Sequence, residues 1–163
     1  MKILDRAALL DLRQLWRRQG RSVVWTNGCF DLLHPGHVAS LQAAKALGHT
    51  LVVGINSDRS VVANKGPSRP ILFERERAIM LAALECVDAV TVFDEATPNA
   101  ILAALKPDVH CKGAEYAPPH GRPVPEAATV LAYGGRIAYL PLVLGISTTE
   151  LLSRIHRSTA RAA

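Results

Sequence analysis

The chain has 163 residues, of which 49% are hydrophobic and 20% are charged, and its formal net charge is +5. This composition is ordinary for one globular domain, and no apolar run approaches the roughly 20 residues that span a bilayer. The region around Asp5, Arg6 and Asp11 also lacks the apolar stretch of a signal peptide, so we expect a cytoplasmic protein without a membrane partner. The positive charge favours anionic ligands but does not distinguish nucleic acids, nucleotides and sugar phosphates.

The three cysteines argue against a disulfide framework or a structural zinc site. Cys29, Cys86 and Cys111 are far apart in the sequence and share no C-x-x-C spacing. We therefore expect buried or loop thiols.

Helices and strands alternate along the first half of the chain. The patterns predict a helix over residues 5–19, a strand over 22–25, a helix over 35–47, a strand over 50–55 and a helix over 74–87. Gly20 and Gly48 are the predicted ends of the first two helices. The segment between the second strand and the third helix is rich in Asn, Gly, Pro and Ser and predicts a loop.

The second half repeats this alternation. It predicts a strand over 89–93, a helix from the cap Thr97 and Pro98 to before Pro107, a strand over 109–112, a helix over 124–133, a strand over 136–140 and a helix over 147–156. Ser147 and Glu150 fit a capping box. Apolar strands joined by helices indicate a parallel sheet covered on both faces, which is a doubly wound, Rossmann-like α/β fold. We expect one domain over 1–163, made of an N-terminal helix (1–20), a core (22–146) and a C-terminal helix (147–163).

The segment after the first strand is the most informative part of the sequence. Residues 26–37 read TNGCFDLLHPGH, and ligands of doubly wound sheets bind outside the carboxyl ends of the strands. Gly28 allows the backbone to approach an anion, while Gly36 and the free amides of the following helix suit a phosphate. His34 and His37 can each donate an N–H to phosphate oxygens, which stabilises charge on a pentacoordinate phosphorus. Metal binding by the two histidines is the competing interpretation, although Asp31 is the only carboxylate nearby.

Several blocks occur together and in order. They are TNGCFDLLHPGH (26–37), GINSD (54–58), KGPSRPI (65–71), ALECVDAV (83–90), KGAEY (112–116) and STTELL (147–152). They resemble the nucleotidyltransferases marked by an H-x-G-H motif, which include enzymes acting on phosphocholine, glycerol 3-phosphate and pantetheine phosphate. Within this family they are most similar to the adenylyltransferases that convert D-glycero-β-D-manno-heptose 1-phosphate into the ADP-heptose of lipopolysaccharide synthesis. Those enzymes occur alone or as the C-terminal half of a fused kinase.

The resemblance implies a set of site residues and a divalent cation that arrives with the nucleoside triphosphate. The implied catalytic residues are His34, His37 and Lys65, the last in a flexible loop where it would swing over the phosphates. The implied nucleotide-binding residues are Thr26, Asn27, Gly28, Cys29, Phe30, Gly36, Lys112, Gly113, Glu115, Ser147, Thr148 and Thr149. The implied acceptor-binding residues are Asp31, Asn56, Asp58, Arg69 and Arg77, with a better case for Arg77 than for Arg69. No metal site held by the protein alone is expected, so Mg²⁺ would be bound through the nucleotide.

Two departures from the family pattern keep alternatives open. The segment before ISTT reads LVLG (142–145), without the arginine of glycerol-3-phosphate cytidylyltransferases, which favours ATP over CTP. Leu72 and KGAE replace a polar residue and the KGGD usual in heptose enzymes, so the acceptor is a heptose phosphate or another phosphorylated sugar or polyol. A non-catalytic nucleotide- or nucleic-acid-binding module is the alternative of another class, but H-x-G-H with KGPSRP argues against it and no nucleic-acid partner is expected. A homo-oligomer, dimeric or larger, is the expected assembly.

Overall fold

The structure is a computed structural model that describes residues 2–141 and 145–160. Three parts of the predictions lie outside these residues. They are residue 1 of the N-terminal helix region, positions 142–144 of the segment that lacks the family arginine, and the last three positions, 161–163, of the predicted C-terminal helix.

The described residues form seven α-helices and five β-strands. The helices are α1 (Arg6–Arg18), α2 (Pro35–Lys45), α3 (Asp58–Lys65), α4 (Glu74–Ala82), α5 (Asn99–Leu105), α6 (Ala127–Ala132) and α7 (Thr148–Ala160). The strands are β1 (Val23–Gly28), β2 (Thr50–Asn56), β3 (Ala89–Phe93), β4 (Val109–Gly113) and β5 (Arg136–Leu140). A short 3₁₀ helix, Ala114–Tyr116, follows β4.

The five strands form one parallel sheet in the order β3-β2-β1-β4-β5. The order reverses at β1, because the chain first builds outward through β2 and β3 and then returns to add β4 and β5 on the other side. This reversal is the topological switch point at which doubly wound sheets bind ligands. The predicted doubly wound α/β fold is confirmed.

Helices cover both faces of the sheet because its strands are apolar on both sides. On one face Val24, Val53 and Ile55 pack with residues of α2 and α4. On the other face Trp25 and Val52 pack with residues of α1, α5 and α6. Each apolar cluster is almost completely buried, and burial of this kind stabilises by roughly 25 cal/mol per Å² of apolar surface.

The predicted loop after β2 is wrong over α3. Ser57 begins this helix, since its hydroxyl accepts a hydrogen bond from the Ser60 amide at 3.1 Å. Lys65 is the last residue of α3, and Gly66, with φ of +90°, ends it. Lys65 is therefore held at a helix end and does not sit in a flexible loop.

The predicted cap at Gly48 is also wrong. α2 ends at Lys45 with Ala46 in the capping position. A Cβ atom at Gly48 would lie 2.7 Å from a methyl group of Val24. Gly48 is required by this close packing of the chain against β1.

Other boundaries shift by a few residues. α4 ends at Ala82, five residues before the predicted end, and α6 begins at Ala127. Pro98 occupies the capping position of α5, so Thr97 is not the cap; its hydroxyl instead accepts a hydrogen bond from the side chain of Asn99. β1 extends through Gly28, so the glycine predicted in a loop ends the strand itself.

Across the described residues, no helix has the length and hydropathy needed to cross a bilayer.

Candidate active site

A cavity of about 430 Å³ opens at the carboxyl ends of β1, β4 and β5. This volume lies within the usual range for small-molecule sites, about 300–1,000 Å³. Most of its wall was predicted from the sequence: Thr26, Asn27, Gly28, Cys29, Phe30, Asp31, His34, Gly36, His37, Lys65, Gly113, Glu115, Ser147, Thr148 and Thr149. Ser40, Leu140 and Ile146 complete it.

Phe30 shapes the loop between β1 and α2. Its φ of +48° lies in the left-handed region that non-glycine residues rarely adopt, and such strain is often found at functional sites. Its ring lies 5.2 Å from the ring of His37, measured between centroids. A Cβ atom at Gly28 would lie 3.2 Å from the same ring, so the end of β1 and the imidazole both pack against this side chain.

His34 and His37 stack on each other at the start of α2. Their ring centroids are 3.8 Å apart and their planes differ by 18°. His34 is the N-cap of α2, because its Nδ1 accepts a hydrogen bond from the His37 amide at 3.3 Å. In the neutral imidazole of His34 the proton therefore lies on Nε2, which is left as the donor.

Both histidines are neutral near pH 7. Burial lowers the pKa of His37 to about 4, with further lowering by the neighbouring His34 and the charge of Lys65 and a small offset from the Leu32 carbonyl. Burial also lowers the pKa of His34. The pair thus supplies N–H donors without adding two positive charges to the cavity.

Two helix starts meet in this cavity. A Cβ atom at Gly36 would lie 3.0 Å from the His34 ring and 3.3 Å from Ile146, so a glycine allows the start of α2 to pack beside the segment leading into α7. Ser147 caps α7, since its hydroxyl accepts from the Glu150 amide at 3.1 Å. Helix starts carry free amides and the positive end of the helix dipole, and both favour phosphate.

Asp31 is an internal anchor of the site. Its side chain is 3% exposed and lies 2.5 Å from the Arg69 guanidinium, and it accepts hydrogen bonds from the amides of Ile71 and Leu72 at 2.8 and 3.1 Å. Burial acts to raise the pKa of Asp31, but the Leu72 amide, Arg69 and the Ile71 amide together lower it below the ordinary value. Asp31 thus ties the β1–α2 loop to the segment before α4.

Arg77 is the second anchor, and its predicted contact with the acceptor stays a prediction. The side chain has 0% exposure and lies outside the cavity wall. It donates to the carbonyls of Cys29 and Leu72 at 2.7 and 3.0 Å and to Asp58 at 2.7 Å. Its charge is satisfied within the protein, so Arg77 supports the loop that carries the site.

The other predicted residues outside the wall are also engaged internally. Asn56 donates to the Ser60 hydroxyl at 3.0 Å, and Asp58 holds Arg77. Lys112 donates to Glu126 at 3.2 Å, with its ammonium 4.5 Å from the centre of the Tyr116 ring. Of the five predicted acceptor residues, Asp31 lines the cavity, and acceptor contacts of Asn56, Asp58, Arg69 and Arg77 remain predictions.

The cytidylyltransferase-like family matches residues 25–154, a span that begins in β1 and ends in α7 and includes the whole cavity wall. The chain belongs to this family. The predicted membership in a nucleotidyltransferase family is thereby confirmed.

Two of the most similar curated relatives are named Bifunctional protein HldE. The one from Syntrophotalea carbinolica is 51% identical over 154 residues, which cover 94% of this chain and 31% of the relative. The one from Methylobacillus flagellatus is 48% identical with the same coverage of each chain. This chain therefore spans about a third of the length of the curated relatives that it matches.

Solved structures share the fold. A lipopolysaccharide core biosynthesis protein from Thermoplasma volcanium aligns with a TM-score of 0.60 and 28% identity, over 76% of this chain and 98% of that one. A pantoate-beta-alanine ligase from Francisella tularensis aligns with a TM-score of 0.57 over 86% of this chain and 67% of that one. At 15% identity the second likeness concerns the fold alone.

Some functional candidates were missed from the sequence. Ser40 lies three residues after His37 on α2, a spacing that places both on one helix face and that the sequence already contained. Glu126 and His110 are buried polar residues near Lys112, and no local motif marks them.

Among residues 2–141 and 145–160, no group of three or more His, Cys, Asp or Glu side chains is arranged to hold a metal ion.

Proposed function

We propose that this chain transfers a nucleoside monophosphate, preferably AMP from ATP, to a sugar 1-phosphate, preferably D-glycero-β-D-manno-heptose 1-phosphate, and releases pyrophosphate. One observation carries the proposal. Two helix starts, two stacked neutral imidazoles and one lysine line a single cavity at the switch point of the sheet. These groups suit a triphosphate, whose charge changes during the reaction.

The triphosphate is bound by backbone amides and dipoles. In this proposal the starts of α2 and α7, with Thr148 and Thr149, hold the phosphates, while Gly113 and Glu115 at the end of β4 line the nucleoside side. Gly28 lets the backbone of β1 approach the α-phosphate closely. Binding in this way fixes the α-phosphorus for attack.

In the chemical step an oxygen of the acceptor phosphate attacks the α-phosphorus, and the bond from the α-phosphorus to the oxygen bridging to the β-phosphate breaks. The electron pair leaves with pyrophosphate. His34 and His37 donate N–H groups to the phosphate oxygens as negative charge builds, and neither acts as a base because an acceptor phosphate carries no proton that must be removed. Lys65 offsets the charge that moves onto pyrophosphate.

Mg²⁺ fits this site as an ion carried by the nucleotide. The cavity carboxylates are Asp31, whose oxygens are engaged by Arg69 and two amides, and Glu115. This donor set does not form a protein cage, so triphosphate oxygens and water would supply most ligands. The ion would neutralise phosphate charge.

The choice of acceptor is supported by the relatives. The curated relatives are named as bifunctional proteins, and this chain matches about a third of the length of each. This agrees with the sequence blocks, which resemble adenylyltransferases that also occur fused to a kinase. The protein from Thermoplasma volcanium, 28% identical in its solved structure, is named a lipopolysaccharide core biosynthesis protein. Glycerol 3-phosphate with CTP is the second candidate, because the family is described as cytidylyltransferase-like.

The test is pyrophosphate release with ATP or CTP, each with Mg²⁺ and either heptose 1-phosphate or glycerol 3-phosphate. We expect release with ATP and the heptose. Release only with CTP and glycerol 3-phosphate would replace the first candidate by the second. If a folded protein released no pyrophosphate in any of the four mixtures, both candidate reactions would be contradicted.

A non-catalytic binding module and the homo-oligomer are tested separately. Strong, salt-dependent retention of DNA or RNA without pyrophosphate release would support the binding module. A homo-oligomer, dimeric or larger, remains a prediction, and sedimentation of the full chain measures it.

A further inference from the structure

Glu126 is a buried carboxylate that the proposed chemistry does not use. It lies directly before α6, and its side chain is 4% exposed. Its Oε2 accepts from the Lys112 ammonium at 3.2 Å and lies 3.7 Å from Nε2 of His110. Burial acts to raise the pKa of Glu126, but His110 and Lys112 lower it to about 2, so it is ionised in the folded protein.

Such a group needs its partners, because burying a charge is costly unless it is paired. Lys112 is the charged partner, with a side chain that is only 12% exposed. His110 is completely buried, and neither of its ring nitrogens has a hydrogen-bond partner among the described residues. Removing the charge of Glu126 would leave Lys112 without its counter-ion.

Lys112 connects this buried cluster to the cavity. It precedes Gly113 on β4, and Gly113 and Glu115 both line the cavity wall. In the sheet, Gly113 is paired with Leu140 of β5, which also lines the cavity. The ammonium lies against the ring of Tyr116, the last residue of the turn after β4.

The chain leaves β4 at Gly113 and returns to the same place at Glu126. The intervening segment is fastened at its base, where the amide of Arg122 donates to the carbonyl of Glu115 at 2.8 Å. At the end of this segment, the ion pair between Glu126 and Lys112 connects the chain to β4 again. The pair thus joins the end of this segment to the residue directly before the turn that lines the cavity.

We propose that Glu126 is a positioning residue for the nucleotide: it fixes Lys112 and, through it, the turn from Gly113 to Tyr116 that forms the nucleoside side of the cavity. This inference rests on the proposed function, since it assigns that side of the cavity to the nucleotide. It predicts that Glu126 sets nucleotide affinity and leaves acceptor affinity unchanged.

The experiment compares Glu126→Gln with Asp88→Asn in the full chain. Asp88 also pairs with a lysine, Lys45, at 2.5 Å, but it precedes β3 at the opposite edge of the sheet. Both variants remove one carboxylate charge from a lysine pair, and thermal unfolding measures the stability that each loses, since the Asp88 side chain is 30% exposed and that of Glu126 is 4% exposed. The readouts are the Kd for ATP with Mg²⁺ by calorimetry, the acceptor KM, and thermal unfolding.

We expect Glu126→Gln to weaken ATP binding about tenfold, a change of about 1.4 kcal/mol in binding free energy. Its acceptor KM should stay within about twofold of the wild type, and Asp88→Asn should change neither constant. An unchanged ATP Kd in folded Glu126→Gln would overturn the inference. The proposed function would fail separately, if the wild type bound ATP and released no pyrophosphate with any acceptor.

A double variant distinguishes positioning from packing. Replacing a buried ion pair by apolar side chains is often neutral or stabilising, so Lys112→Met with Glu126→Leu should fold. We expect it to keep the weakened ATP binding, because the ion pair that fixes the turn from Gly113 to Tyr116 is gone. Recovery of wild-type ATP affinity in this double variant would show that the pair serves packing alone and would overturn the inference.

Discussion

Two neighbouring segments of the molecule use similar polar residues in opposite ways. The segment from Thr26 to Ser40 has its histidines, glycines and strand end in the cavity wall. The segment from Asn56 to Arg77 satisfies most of its charges internally, through Asp58–Arg77 and the contact of Arg69 with Asp31. Only Lys65 of this second segment lines the cavity.

The difference indicates which groups can act on a ligand. A buried charge that is already paired cannot take a second partner without losing the first, and breaking such a pair is costly. A neutral imidazole with a free N–H has no such competition. We therefore expect the histidines of the first segment to control turnover, and the paired charges that join the two segments to control the stability and placement of the first.

The largest effect is expected for His37→Ala. Removing one donor to a developing oxyanion typically costs about 100- to 1,000-fold in kcat, and the fold should be retained because only one partly buried ring is lost. Steady-state kinetics and thermal unfolding measure both quantities. His120→Ala is the control, since that exposed residue lies outside the cavity wall, and a folded His37→Ala with full activity would remove the site assignment.

Arg77→Ala should act mainly on stability. It removes a fully buried guanidinium and leaves two carbonyls and Asp58 without their donor, so we expect a loss of about 3 kcal/mol and a fall in Tm of about 10 °C. Denaturant unfolding measures the free energy. An unchanged stability with a raised acceptor KM would show that Arg77 contacts the acceptor, and the two segments would then no longer differ.

Asp31→Asn tests the other anchor through its pH dependence. The folded pKa of Asp31 lies below its ordinary 3.8, so its contribution is present above that value and is lost as pH falls through the folded value. We expect a cost of about 2 kcal/mol at pH 7, typical of hydrogen bonds to a charged group. The difference between the wild type and the variant should shrink below about pH 4; a difference independent of pH would contradict the anchoring role of its charge.

Lys65→Ala should have the smallest effect on rate and a clear effect on His37. We expect kcat to fall about tenfold, or about 1.4 kcal/mol, because one cation near the phosphates is lost. The pKa of His37, about 4 in the wild type, should rise when the positive charge is removed, and proton NMR titration measures it. Arg59→Ala on the same helix is the control, and a His37 pKa unchanged by Lys65→Ala would place the lysine away from the imidazole.

The sheet and the H-x-G-H segment were predictable because both are local patterns. Continuous apolar runs such as 50–55 indicate buried parallel strands, and Gly28, His34 and His37 lie within one short stretch. α3 was missed because its cap, Ser57, belongs to a residue type that is equally common in loops. The internal use of Arg69 and Arg77 could not be predicted, since their partners Asp31 and Cys29 lie 38 and 48 positions away along the chain.

The central claim is transfer of the nucleotide at its α-phosphorus, and phosphorus NMR of the reaction with ATP, Mg²⁺ and heptose 1-phosphate tests it most directly. The account predicts pyrophosphate and one new compound with two coupled phosphorus nuclei, one from the α-phosphate of ATP and one from the acceptor. It also predicts that His37→Ala forms neither at a comparable rate. Formation of ADP and a doubly phosphorylated sugar would show transfer of the terminal phosphate and would contradict the claim.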